Sequence, residues 1–95
     1  MQGRRDPAAG FAELAFRMEQ LWKDGDLPED FSCTIGELAC SPNVGIVVPE
    51  SVTFTIDIRH VDVPVLEEGW QRIESLVRSV AESRGLDLEL VRLSA

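Results

Sequence analysis

"VTFTIDIRH", residues 52–60, decides the fold. Val52, Phe54, Ile56 and Ile58 alternate with Thr53, Thr55, Asp57 and Arg59, the period of two expected of a strand with one buried face. The outward face finishes on an acid and a base, Asp57 and Arg59, two residues apart and therefore on the same side. Upstream, "FSCTIGEL" at 31–38 sets Phe31, Cys33 and Ile35 against Ser32 and Thr34, and Gly36 breaks the alternation as a bulge would. Ser41-Pro42-Asn43 reads as a turn, and "GIVVP" stops at Pro49, which has no N–H for a ladder. These segments predict strands over about 31–40 and 45–60, joined as a long antiparallel hairpin with an irregular middle.

A helix is expected on each side of the hairpin. Asp6 can cap the first turn of one and Pro7 suits its first position. Phe11, Leu14, Ala15, Met18, Leu21 and Trp22 then recur at spacings of three and four, one apolar stripe. Asp24-Gly25-Asp26 and Pro28 end it, giving a helix over about 7–23. Asp62 and Pro64 open the second, over about 63–84. Its stripe is Leu66, Trp70, Ile73, Leu76, Val77 and Val80, with Glu67, Glu68, Arg72, Glu74 and Arg78 opposite, and Gly85 supplies a left-handed stop. "LDLELVRL", from residue 86 to 93, alternates once more and predicts a third strand.

The order helix, strand, strand, helix, strand implies an α+β fold: a two-layer sandwich with an antiparallel sheet and both helices on one face. It is the ferredoxin-like split motif, β-α-β-β-α-β, without its first strand, which in that topology lies inside the sheet. The 95 residues suffice for one domain, 1–95, with no repeat and no linker.

The formal charge of −8 argues against a nucleic-acid or anionic-membrane partner, since both need concentrated basic surface. No apolar run nears the ~20 residues of a membrane span, and Glu13 interrupts the apolar stretch behind Arg4 and Arg5. The expectation is a cytoplasmic protein without a targeting segment. Cys33 and Cys40 fit neither a CxxC pair nor a zinc knuckle. Within one regular strand their odd spacing places them on opposite faces, so reduced, half-buried thiols are expected unless a bulge intervenes.

Catalytic chemistry is missing from the pattern. His60 is the sole histidine and has no companion His, Cys or carboxylate at metal-ligand spacing. Asp57 and His60, three apart, point to opposite faces. No serine sits in a GxSxG elbow, no glycine-rich phosphate cradle is present, and most carboxylates fall on exposed helix faces. The residues themselves supply no catalytic centre, no metal site and no cofactor.

"RRDPAAGFAELAFRMEQL" followed by "CTIGELACSPNVGIVVPESVTFTIDIRH" resembles the lid, or dimerisation, domain of M20-type metal-dependent amidohydrolases, nearest to the N-carbamoyl-L-amino-acid and allantoate amidohydrolase group. The features carrying the resemblance are Arg5-Asp6 opening a helix, Thr34-Ile35-Gly36 in a strand, the turn proline Pro49, and Asp57-Ile58-Arg59 closing a strand. The resemblance implies a domain set into a larger enzyme whose separate catalytic part holds two divalent metals, zinc or manganese. It implies pairing with a second subunit, and a role for Arg59 in holding the substrate's carboxylate with Asp57 orienting it. Two features depart from the family. Ile46 stands where an asparagine is usual, three residues before Pro49, and the family's histidine-bearing first strand has no counterpart ahead of Arg5-Asp6.

Two functions of different class follow. One is a lid domain of a carbamoylase-type amidohydrolase, inactive alone and acting in self-association and substrate closure with a catalytic domain. The other is an autonomous module that self-associates or takes a strand from a partner, because a sheet without an interior strand leaves backbone groups unpaired. A small independent enzyme is the least supported of the readings.

Overall fold

The computed structural model describes residues 6–41 and 51–92. Four elements follow one another: α1 (Pro7–Lys23), β1 (Ser32–Ser41), β2 (Ser51–Arg59) and α2 (Val63–Ser83). This is the expected α+β arrangement, with helix and strand bounds within a residue or so of the sequence reading wherever residues are described. The first part of the second strand, 45–50, lies outside the described residues.

The ends of both helices are set by the residues that the sequence singles out. Asp6 Oδ1 accepts from the N–H groups of Ala8 at 3.0 Å and Ala9 at 3.2 Å. Asp62 Oδ1 accepts from Val65 N–H at 3.3 Å. These bonds satisfy first-turn donors that have no partner inside a helix. At the other ends, Gly25 and Gly85 adopt φ of +77° and +66°. Asp26 N–H then reaches back to Leu21 O at 2.8 Å, and Leu86 N–H to Ala81 O at 2.8 Å. Both helices thus close in the six-to-one hydrogen bond of a Schellman motif.

β1 and β2 pair antiparallel from Ser32↔Arg59 to Ser41↔Ser51, with the register shifting between Gly36 and Ala39. Glu37 and Leu38 together face Phe54 across the ladder, a bulge, and Glu37 carries the strain of φ +31°. The bulge restores inward phase to the second half of β1, so Cys40, like Cys33, is half-buried. The expectation of opposite faces is corrected by that extra residue. Seven positions along a strand still separate the two sulfurs by about 20 Å, far beyond disulfide reach, and both cysteines are free.

The core forms where the helices lie on the inner face of the hairpin. Leu14 and Met18 of α1, Ile73, Val77 and Val80 of α2, and Leu27 and Phe31 of the connecting loop are buried together. Cys33, Ile35, Phe54, Ile56 and Ile58 pack onto them from the sheet. Phe11 meets Phe54 edge to face, ring centroids 4.8 Å apart. The Trp22 indole N–H donates to Phe31 O at 3.0 Å, which ties α1 to the start of β1. Gly69 lets α2 approach: a Cβ at that position would overlap the Phe31 ring.

The third strand expected at 86–93 is not formed among the described residues, and the sheet there has two strands. In the split motif the last strand lies beside the first strand, and no strand precedes α1 among the described residues. Leucine alternation cannot replace it, because a strand is defined by backbone bonds to a partner. The segment instead doubles back along α2. Arg84 pairs with Glu13 of α1 at 2.6 Å, Leu86 sits against Gly10, and Arg92 pairs with Glu67 near the beginning of α2. Returning from Ser83 to the level of Glu67 means covering about 24 Å of helix. Six residues can reach that far only when nearly extended, at about 20 Å plus the reach of the arginine side chain.

Candidate functional site

The outward face of β2 carries Thr53, Thr55, Asp57 and Arg59, all exposed, against the half-buried Val52, Phe54, Ile56 and Ile58. The pleat that sets four side chains into the core thereby lines up the other four on the surface. At the end of this row the structure brings together the two residues singled out from sequence. Arg59 Nη2 lies 3.1 Å from Asp57 Oδ2 and Nε lies 3.4 Å from Asp57 Oδ1. The arginine side chain is 78% exposed. Its guanidinium is held protonated, above its already high ordinary value, chiefly by the hydrogen bond to Asp57 and secondarily by that residue's charge.

The geometry of the pair determines what it can do. Asp57 engages the side edge of the guanidinium, formed by Nε and Nη2. The end edge, formed by Nη1 and the remaining Nη2 hydrogen, points away from it and matches a second carboxylate in two parallel bonds. A lysine would offer no such second edge. Asp57 therefore fixes the plane in which an incoming anion would be met. Val61 and Val63 follow directly and are 97% and 64% exposed, so apolar surface adjoins the cation.

On the opposite side of the strand end, His60 turns inward. Its Nε2 lies 3.0 Å from Asp30 Oδ1, and its Nδ1 accepts the backbone N–H of Asp62 at 2.9 Å. Sequence reasoning found no role for His60 beyond its separation from Asp57. Its partner Asp30 is thirty residues away in the chain, and no local pattern announces such a contact.

Cys33, opposite Ile58 in the ladder, is not a reactive thiol. Burial, aided by the Asp57 carboxylate, pushes its pKa up to about 11. A nucleophilic cysteine needs the reverse shift. Among the described residues no three His, Cys, Asp or Glu side chains come together as a metal site. Among the described residues no helix is long and apolar enough to cross a membrane.

Comparison with known proteins places these features in a larger context. No family model matches the chain. It is 34% identical over 86 residues to the allantoate amidohydrolase of Bacillus subtilis, a match covering 90% of this chain and 20% of that protein. It is 33% identical over 91 residues to the N-carbamoyl-L-amino-acid amidohydrolase of Pseudomonas sp. NS671, covering 95% of this chain and 22% of that protein. The allantoate amidohydrolase of Escherichia coli is 33% identical over 90 residues, covering 92% of this chain and 21% of that protein. The chain spans about one fifth of the length of these curated relatives. By sequence it is related to the allantoate and N-carbamoyl-L-amino-acid amidohydrolases and corresponds to about one fifth of their length.

Proposed function

We propose that the chain serves as the lid and dimerisation domain of a carbamoylase-type amidohydrolase and performs no hydrolysis by itself. The observation that carries this reading is the Asp57–Arg59 pair at the exposed end of β2, in a chain related to enzymes named for allantoate and N-carbamoyl amino acids. Such substrates bear a carboxylate beside the C–N bond that is cut. Arg59 would take that carboxylate on its end edge while Asp57 holds the guanidinium plane. The metals, zinc or manganese, would be supplied by residues outside this chain and would polarise the carbonyl under attack. Closing Arg59 over the substrate would orient it and exclude water, the usual task of a lid.

The test is steady-state kinetics of the whole enzyme on N-carbamoyl amino acids and allantoate. Arg59→Lys should raise KM roughly tenfold or more, because the second bidentate edge is lost. An unchanged KM would refute the clamp. Sedimentation of the same protein tests self-association.

A second reading is favoured by segment 86–92, which joins no sheet among the described residues, and by the side of β2 that has no neighbour among them. In it the chain is a module that accepts one extended strand beside β2. Hydrogen exchange decides this point: a monomer with every β2 amide protected would exclude it.

A further inference from the structure

The ring of His60 is the place where three parts of the chain meet. Its side chain is 7% exposed, with Asp30 at Nε2 and the Asp62 N–H at Nδ1. The ring also stacks on Phe31, centroids 6.3 Å apart. Phe31 is in turn fixed by Trp22 and lies over Gly69 of α2. Asp62, whose N–H is held by the ring, is the residue that caps α2. The last rung of the hairpin is Ser32↔Arg59. Beyond that rung the ladder gives the strand no support, and His60 is the next anchor.

We propose that His60 is the positioning residue of Arg59: its buried ring, bonded to the Asp62 N–H and set beside Asp30, fixes the strand end from which the guanidinium projects. This rests on the reading of Arg59 as the carboxylate-binding group. The charged groups around the ring are Asp30 from the loop, Asp62 at the start of α2, and Asp57 and Arg59 on β2 itself, the last two on the opposite face. Without the Nδ1 acceptor the turn from β2 to α2 loses its anchor, and Arg59 loses its fixed direction with it.

The experiment is nitrogen-15 NMR of the full chain at one fixed pH, comparing the Asp62 amide and the Arg59 Nε–Hε signal in the wild type, His60→Asn and His60→Phe. His60→Asn offers Asp62 an oxygen in place of Nδ1 and should leave both signals near their wild-type values. His60→Phe keeps a ring but no acceptor: exchange of the Asp62 amide should quicken roughly five- to tenfold, the scale of one hydrogen bond, and the Arg59 signal should move with it. An Arg59 signal that stays fixed while the Asp62 amide is released overturns the proposal. If the Phe variant does not fold, the nuclear Overhauser effect of the wild-type Arg59 Nε–Hε decides, and a freely moving guanidinium overturns the proposal. No substrate is present, so this outcome is independent of the KM measured for Arg59→Lys.

Discussion

The two ends of α2 treat apolar side chains in opposite ways. At its beginning the helix meets the loop that carries Leu27 and Phe31, each 3% exposed, and Gly69 brings the helix axis close to the Phe31 ring. Past its end the chain is just as leucine-rich, yet Leu88 is 39% and Val91 69% exposed. The difference lies in partners rather than in composition. Phe31 has Trp22, His60 and α2 around it, whereas the later segment has an ion pair at Arg92 and no strand beside it among the described residues. Apolar sequence becomes core only where another surface closes over it.

The largest test of this contrast is a pair of truncations read by urea denaturation. Phe31→Ala should cost about 3–5 kcal/mol, the loss of a buried ring plus its cavity. Leu88→Ala should stay within about 0.5 kcal/mol. Equal losses would mean that the terminal segment is packed as tightly as the loop, and the comparison would fail.

Thiol chemistry probes the same buried layer from the sheet side. With its pKa near 11 instead of the ordinary 9.0, Cys33 should alkylate at pH 8 about a hundredfold more slowly than a free thiol. The same shift fixes a pH dependence. Below about 9 the thiol is neutral in both folded and unfolded chains. Between about 9 and about 11 only the unfolded chain ionises, so stability falls as pH rises. Cys33→Ala should abolish that alkaline decline.

A smaller effect separates two glycines. Gly69→Ala places a Cβ into the Phe31 ring and should cost about 1–3 kcal/mol, because the ring is held on every side. The same change at Gly10 crowds the tip of Leu86, in the segment after α2, and touches the Arg84 side chain at ordinary contact distance. Alanine's helix propensity, worth about 1 kcal/mol over glycine, should offset most of that contact. Comparable losses at both positions would show that the segment after α2 is anchored. Smallest of the four, Asp62→Ala removes the α2 cap and should cost about 1 kcal/mol in thermal or urea unfolding.

Local features of this fold were legible in the sequence because they depend on neighbours along the chain. Asp6, Asp62, Gly25 and Gly85 act within one turn of their own positions, and Val52 to Arg59 alternate within a single strand. Gly36 signalled the bulge, although the residue that takes the left-handed φ is Glu37. The third strand is not formed among the described residues because pairing is non-local: residues 86–92 alternate correctly but have no strand partner there. Leu27 was missed as core because no periodicity embraces a loop. The Asp57–Arg59 contact followed from strand geometry alone, whereas the His60 contacts with Asp30 and Phe31 arise only when the hairpin and the helix-connecting loop come together.

The return of residues 86–92 along α2 also has a mechanical meaning. The segment is attached at its far end by the Arg92–Glu67 pair and at its near end by Leu86 against Gly10 and by the Arg84–Glu13 pair. Tension applied beyond residue 92 therefore falls first on one surface ion pair, which yields at small force. Peeling then runs toward Leu86 one residue at a time, unlike a sheet strand sheared along its length, where many bonds resist at once. About 20 Å of slack is released before any load reaches the last turn of α2. The hairpin and its Arg59 end are thereby isolated from pulls on the C-terminal side.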